Sequence, residues 1–316
     1  GDHSTGMYHA LLEARIPFEM INERLLDPDH IAPYKLLILP NIAQLSDSQC
    51  SILRRFTENG GSILATFETS LYDNEGNRRP DFGLADLFGA SFAGAVEGPM
   101  QNSYLRLRQD KESGTFHPVL SGLEDAFRII NTSYQVKTRP LIQLPSPVTI
   151  IPSYPDLPME HVFPRITETD IRGLYLNDTG KGRIAYFPGD IDRIFWQIMS
   201  GDHGRLLENT IKWALNEEPL IEVKGPGVID VTVWRQSSSM TVHLVNLTNP
   251  MMMKGPFREF IPVAAETSIK LPRDLRATDI RLLVSGQKVP YRIENGRAYL
   301  KIPEIYDHEI IGIDLE

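Results

Sequence analysis

The chain has little of what marks several protein classes. Cys50 is the only cysteine in 316 residues, so neither an intrachain disulfide nor a cysteine-based metal site can form. No apolar run approaches the ~20 residues that a bilayer-spanning helix needs, so a membrane-embedded protein is not expected. The net charge is −9 and no Lys/Arg cluster interrupts it. A nucleic-acid partner is therefore not expected either, because binding phosphates requires a basic face.

Histidines are also few and dispersed. There are eight, and none has a second histidine three or four residues away, which is the spacing of a paired metal site on a helix. The sequence therefore predicts no metal and no cofactor. The chain begins Gly1-Asp2-His3-Ser4, without an initiator Met or a signal-peptide pattern, and this start predicts a fragment of a longer protein.

The residues that are present predict an α/β domain at the start of the chain. Apolar residues make up 41% of the sequence, and its length allows two domains. An unbroken apolar run at 36–39 and a strand pattern at 62–67 flank a helical pattern at 46–58. Strand, helix and strand at this spacing predict a doubly wound parallel sheet with helices on its faces. Further patterns predict strands at 17–21 and 182–187, and helices at 7–15, 82–88 and 204–215.

A change of pattern at Glu217-Glu218-Pro219 predicts a domain boundary. Beyond it, apolar and polar residues alternate in short stretches separated by turn signals, and no helical pattern appears. This pattern is typical of an antiparallel β-sandwich. The sequence thus predicts two domains, at 1–217 and 218–316.

The expected reactive elbow follows the strand at 62–67. Such strand-to-helix elbows present the nucleophile of α/β hydrolases and amidotransferases. Residues 67–70 contain neither a cysteine nor Gly-x-Ser-x-Gly. A hydrolase using the elbow from Glu68 to Ser70 stays one hypothesis. We expect Cys50, within the preceding helix, to be a buried apolar filler.

A second group of candidates follows the strand at 182–187. Asp190 and Asp192 could form the carboxylate pair that hydrolysis of a glycosidic bond needs, or Asp could cap the next helix, which we favour. Arg193 lies beside them. Trp196 could stack on a sugar ring, although a core position is the more common role. The apolar run at 251–253 predicts either a contact with a neighbouring domain or subunit, or a locally buried loop.

Several segments resemble known proteins. Residues 34–40 (YKLLILP), followed by a helix and residues 58–66 (ENGGSILAT), resemble the trimerisation domain of family 42 β-galactosidases. Residues 180–193 (GKGRIAYFPGDIDR) and 206–209 (LLEN), with Trp213-Ala214, look like a related group of glycosyl hydrolases. The β-rich part is similar to that group at residues 225–228 (GPGV) and 242–247 (VHLVNL).

The resemblance implies a class I glutamine amidotransferase-like, flavodoxin-like domain followed by a small β-sandwich. It also implies that the catalytic glutamates belong to an upstream TIM barrel of the same polypeptide, which needs roughly 250 residues of its own. The amidotransferase pattern is broken, because the elbow lacks Cys and Tyr186-Phe187-Pro188 stands where an active member has its His. The fold likeness therefore transfers no amidotransferase chemistry.

Three functions remain open. The first is a non-catalytic accessory and oligomerisation region of a glycoside hydrolase, with Glu68, Asp190, Asp192, Arg193 and Trp196 facing a ligand or the rim of an active site. The second is a stand-alone hydrolase that uses the elbow with Asp190 or Asp192. The third is a carbohydrate-binding module. The missing elbow cysteine and the unpaired histidines count against the second. The acidic, fragment-like character favours the first, which predicts a homo-oligomer, over the third.

Overall fold

The computed structural model describes residues 1–249 and 259–316. The run at 251–253, for which a domain or subunit contact was one prediction, lies outside the described residues. The chain divides into two compact units, the first made of residues 1–10 and 21–217 and the second of residues 11–20 and 218–316. No helix among the described residues has the length and apolar character needed to cross a membrane.

Residues 1–217 contain helices and strands in alternation. The α-helices are α1 (Asp2–Glu13), α2 (Pro28–Ile31), α3 (Asp47–Glu58), α4 (Ala85–Phe88), α5 (Ile191–Ile198) and α6 (Gly201–Leu215). The strands are β1 (Leu36–Leu39), β2 (Ser62–Thr66), β3 (Ala90–Glu97), β4 (Tyr104–Leu107), β5 (Arg128–Ile130), β6 (Gln135–Pro140), β7 (Val148–Ile151), β8 (Tyr175–Asp178) and β9 (Arg183–Phe187).

The central sheet of the first unit has the strand order β1-β2-β9-β8. The first three strands are parallel, and β8 runs antiparallel to β9 at the edge. The predicted wholly parallel sheet is therefore corrected to a mixed sheet. The reason is local: the tight turn at 179–182, closed by a hydrogen bond from Thr179 N to Gly182 O, joins β8 to β9. So short a connection can only produce an antiparallel pair.

The predicted strand–helix–strand unit is confirmed. Helix α3 begins at Ser46, whose side chain accepts from Gln49 N while the Gln49 side chain accepts from Ser46 N, a reciprocal cap. Its buried face carries Cys50, Leu53 and Phe56, which share a core with alternate residues of β2 and β9. Burying a side chain as large as Leu or Phe contributes about 1.5–3 kcal/mol, so this face fixes the helix on the sheet.

The opposite face of the sheet is covered as well. Leu64 and Ala185, which alternate with the residues facing α3, are fully buried, and α6 packs along β2 and β9. This explains the largely apolar character of β2 and β9, because both faces of these strands are buried, whereas in β1 only alternate residues are fully buried. The strand predicted at 17–21 is wrong, since those residues form no strand. Two smaller antiparallel sheets, β3–β6 and β5-β4-β7, complete the first unit.

The second unit contains strands and, in its described residues after 217, no α-helix. Its strands are β10 (Ile221–Lys224), β11 (Ile229–Arg235), β12 (Ser239–Asn246), β13 (Val263–Lys270), β14 (Ala277–Leu282), β15 (Tyr291–Glu294), β16 (Arg297–Ile305) and β17 (His308–Leu315). They form two antiparallel sheets, ordered β10-β13-β16-β15 and β11-β12-β17-β14. Alternate residues of both sheets contribute to one hydrophobic core. The predicted alternation therefore reflects burial of one face of each sheet.

Candidate functional site

The predicted site residues follow the carboxyl ends of parallel strands in the first unit. Asn41 comes after β1, Phe67 and Glu68 after β2, and Asp190 and Asp192 after β9. Because these strands are parallel and adjacent, their carboxyl ends lie at the same edge of the sheet, where ligands bind in open α/β folds.

A sharp elbow follows β2, at the position that the sequence predicted. Phe67 has a φ of 53°, a left-handed conformation that is uncommon for a bulky residue. Three hydrogen bonds hold this segment: Phe67 N donates to Phe187 O (2.8 Å), Tyr186 Oη donates to Phe67 O (2.6 Å), and Glu68 N donates to Asn41 Oδ1 (3.2 Å). The backbone thus has the shape that presents a nucleophile, but a phenyl ring occupies the position and cannot act as one.

Asp192 is the centre of a buried hydrogen-bond network at this edge. Its side chain is inaccessible to solvent; Oδ1 lies 2.8 Å from His3 Nδ1, and Oδ2 accepts from Thr66 Oγ1 at 2.7 Å. Thr66 Oγ1 in turn accepts from Asn41 N at 2.9 Å. The His3 ring also stacks on Phe67, with the ring centroids 5.6 Å apart. Asp192 therefore joins α1 to the strand ends, and both of its oxygens have partners.

Asp190 is equally buried; one of its partners lies in a distant part of the chain and the other in the helix that follows it. Oδ1 accepts from Tyr134 N at 2.9 Å, and Oδ2 forms an ion pair with Arg193 Nη2 at 2.5 Å. Burial raises the pKa of Asp190, and the Tyr134 N–H and the Arg193 charge oppose that rise only in part. The favoured helix-cap role is wrong in its contacts: Asp190 stands at the N-cap position of α5, but its side chain accepts no hydrogen bond from a backbone N–H of that helix. Its φ of −84° and ψ of 46° lie outside the extended conformation usual for a cap.

The other candidates have separate surroundings. Glu68 keeps partial exposure and accepts from Tyr72 Oη at 3.2 Å. Trp196 is partly buried and stacks on His9, with ring centroids 4.5 Å apart and an interplanar angle of 7°. The Arg193 guanidinium lies 4.9 Å from the centre of the Tyr134 ring. No hydrogen bond between Glu68 and either aspartate occurs among the described residues. Asp190 and Arg193 are the candidates that the described contacts join directly.

Cys50 is buried, as predicted, and takes no part in this edge. Burial raises the pKa of its thiol, which disfavours the reactive thiolate. In the part of the chain that the structure describes, no group of three or more His, Cys, Asp or Glu side chains could hold a metal ion. The cavity next to Phe187 and Ile191 measures about 10 Å³, room for one water molecule at most.

Sequence reasoning missed three partners of the aspartates. His3 is separated from Asp192 by 189 positions, Thr66 by 126, and Tyr134 lies 56 positions from Asp190. No local pattern links residues at such separations. Only Thr66, which lies in the strand predicted at 62–67, carried a signal of its place at the edge.

Comparisons with known proteins find the fold of this chain in parts of glycoside hydrolases. No family model matches the sequence, and no curated protein matches it either. Several solved structures match the chain. Alpha-L-fucosidase isoenzyme 2 from Paenibacillus thiaminolyticus is 16% identical with a TM-score of 0.75, and the match covers 100% of this chain and 45% of the fucosidase. β-Galactosidase from Bacillus circulans sp. alkalophilus is 15% identical with a TM-score of 0.63. The match covers 99% of this chain and 37% of that enzyme. The GH42 β-galactosidase Gan42B of G. stearothermophilus is 16% identical with a TM-score of 0.58. The match covers 98% of this chain and 35% of Gan42B.

The chain has the fold of a part of these glycoside hydrolases. It spans less than half of the length of each. At 15–16% identity the likeness concerns the fold, so it carries neither the substrates nor the catalytic residues of those enzymes to this chain.

Proposed function

We propose that this chain is a non-catalytic accessory and oligomerisation region of a glycoside hydrolase related to family 42 β-galactosidases. In this proposal, residues 1–217 form an amidotransferase-like, flavodoxin-like trimerisation domain and residues 218–316 a C-terminal β-sandwich. A catalytic barrel upstream in the same polypeptide supplies the chemistry. The observation that carries the proposal is Phe67, which occupies the elbow where a related enzyme would need a nucleophile.

The carboxylates support the same conclusion. Hydrolysis of a glycosidic bond requires two carboxyl groups about 5–10 Å apart on either side of the sugar, and both must reach the substrate. Asp190 and Asp192 are fully buried, and each has both oxygens in a hydrogen bond or an ion pair. Of the three acidic candidates, Glu68 alone keeps exposure. One accessible carboxylate does not make a catalytic pair.

We therefore expect the 316-residue chain to release no aryl group from a panel of aryl β-galactosides and α-fucosides above the rate in buffer. A complete β-galactosidase, assayed under the same conditions, serves as the positive control. Turnover by the chain that disappears in Glu68→Gln would contradict the proposal and favour a stand-alone hydrolase acting through the elbow.

The oligomerisation part of the proposal is supported by exposed apolar side chains in the irregular segment 157–166 of the first unit. Leu157 is 71% exposed, Met159 77% and Ile166 56%, and Phe163 is also half exposed. Soluble monomers seldom present so many large apolar groups within one short segment. We propose that a second copy of this chain covers segment 157–166. The proposed homo-oligomer needs an apolar surface on the first unit, and this segment offers one.

We expect sedimentation velocity to show concentration-dependent self-association of the chain, through an interface that buries more than about 1,000 Å². Met159→Asp should shift the distribution toward monomer, because a carboxylate must be desolvated at the interface. Met20→Asp is the matched control, since Met20 is 73% exposed but belongs to the second unit. A strict monomer at the highest attainable concentration would remove the oligomerisation role. Equal effects of the two variants would show that segment 157–166 is not the interface.

A further inference from the structure

An open groove in the second unit carries an unusual concentration of positive charge. It has a volume of about 1280 Å³ and lies between the connection from β13 to β14 and the hairpin of β15 and β16. Its charged lining consists of four cations and one carboxylate: Lys270, Arg273, Arg276, Arg297 and Glu218. In a chain with a net charge of −9, this is a local reversal of sign.

None of the four cations forms an ion pair with a carboxylate among the described residues. Elsewhere in the second unit, exposed cations do find acidic partners: Arg281 pairs with Asp279 and Asp314, and Lys301 with Glu266. The positive charge in the groove is therefore not neutralised from within the described chain. An anion entering the groove would meet no competing carboxylate except Glu218.

Arg297 is held in place before any ligand arrives. Its guanidinium donates to Ser268 Oγ (2.7 Å), Ser268 O (2.9 Å) and Pro219 O (2.9 Å). All three acceptors are uncharged, so they fix the group without cancelling its charge. A guanidinium has five N–H donors, which leaves two for a ligand. Little side-chain entropy remains to be lost when an anion binds to a group that is already ordered.

The edge strand β15 supplies an apolar wall. Tyr291 and Ile293 both line the groove, because alternate residues of a strand point to the same face. They are 40% and 46% exposed, and their pairing partners Leu300 and Ala298 belong to the core. An aromatic ring and an aliphatic side chain therefore extend the core-facing side of the sheet into solvent. Lys270 and Arg297 are paired with each other on the other face of this sheet, because neighbouring residues of a strand alternate between faces. Pockets that combine an apolar wall with a few placed polar groups are typical of ligand sites.

We propose that this groove binds an acidic oligosaccharide, with its carboxylates paired to Arg273 and Arg276 and a sugar ring against Tyr291, while Arg297 adds a fixed positive charge from the other face of the sheet. Guanidinium groups suit carboxylates because they donate two parallel hydrogen bonds to both oxygens. The volume exceeds the upper end of the range for single small ligands, about 300–1,000 Å³, and so fits several sugar units. The carbohydrate class rests on the proposed function, whereas the negative charge of the ligand rests on the lining alone.

The test is calorimetric titration of the full chain with a tetramer of galacturonic acid at low ionic strength. A neutral galactose tetramer and a sulfated one of the same length are titrated beside it. We expect the galacturonic acid tetramer to bind, the neutral one to bind at least about tenfold more weakly, and binding to weaken as salt is added. If the sulfated tetramer binds more tightly than the galacturonic acid tetramer, the group that the groove recognises is a sulfate ester and the uronate proposal is wrong.

The variant that tests the site is Arg273→Gln with Arg276→Gln. It should weaken binding about tenfold or more, because two charge-assisted contacts are lost. The matched control is Arg235→Gln with Lys288→Gln, which removes two exposed cations of the same unit that do not line the groove. Equal losses in both variants would reduce the effect to net charge and overturn the proposal. Absence of binding by the galacturonic acid tetramer would also overturn the proposal. So would a short single-stranded DNA that binds as tightly as that tetramer, because the groove would then bind polyanions in general. These outcomes leave the hydrolysis and sedimentation results unaffected, so the two proposals can fail separately.

Discussion

Gly6→Ala is expected to destabilise the first unit by about 2 kcal/mol or more, although alanine is the better helix former. Gly6 lies inside α1, and a Cβ added there would stand 1.8 Å from Asp192 O and 3.3 Å from Trp196 Cβ. Helix propensity favours alanine by only about 1 kcal/mol. The clash is with backbone, which cannot rotate away, so α1 must move and the His3–Asp192 contact must open. The clash therefore outweighs the propensity.

Thermal unfolding measures this effect, since 1 kcal/mol corresponds to about 2–4 °C in Tm for a unit of this size. Gly201→Ala is the matched control: Gly201 is the first residue of α6, and nothing lies within 4 Å of its added Cβ. The control should leave the Tm unchanged or raise it slightly. A Gly6→Ala variant as stable as the control would show that α1 does not pack closely against Asp192.

Asp190→Ala is expected to lower the free energy of unfolding by about 2–4 kcal/mol. The change leaves Tyr134 N without its acceptor and Arg193 without its ion-pair partner, both next to the end of β9. Asp190→Asn should cost less, because the amide oxygen still accepts from Tyr134 N. Urea unfolding checks both. Asp170→Ala is the control, because Asp170 is fully exposed and its ion pair with Arg108 spans 3.7 Å, so little change is expected. A loss in Asp190→Ala no greater than in that control would contradict the buried role.

The same residue should also leave a signature in the pH dependence of stability. Burial raises the pKa of Asp190 in the folded chain above that of an unfolded aspartate, about 3.9. The stability that Asp190 gains from its raised pKa is therefore fully present below the unfolded pKa. It is lost as the pH rises through the folded pKa. The stability of the unsubstituted chain relative to Asp190→Asn should accordingly increase as the pH falls from neutral toward 4. A difference that is flat over this range would mean that Asp190 titrates as an ordinary aspartate.

Helix α3 and the elbow show what could be predicted of the site. Ser46 and Gln49 form the cap that the sequence signals, and the apolar spacing that follows places Cys50 on the buried face. The elbow after β2 followed from the end of a buried strand, and the sequence alone showed that residues 67–70 contain neither a cysteine nor Gly-x-Ser-x-Gly. These predictions succeed because cap, helix and strand depend on residues close together in the chain.

The roles of Asp190 and Asp192 could not be predicted in the same way. Both follow a predicted strand, and the sequence allowed them two plausible roles, a catalytic pair or a helix cap. Their contacts in the structure show neither role. Asp190 bonds to Tyr134 and Arg193, and Asp192 to His3 and Thr66. Arg193 lies three residues from Asp190, but Tyr134, His3 and Thr66 come from other elements, and their approach depends on how helices and loops pack on the sheet.

The sequence by itself determined the local structure of this protein: the parallel pair of buried strands with its capped helix, the alternating strands after residue 217, and the phenylalanine at the elbow. Each depends on periodicity or on neighbouring residues, which a linear sequence displays directly. Only the tertiary structure decided that His3 meets Asp192 across 189 positions, and that cations from 270 to 297 line one groove. Such contacts arise when separate elements bury their apolar faces together, and that packing leaves no signal in any short stretch of the chain.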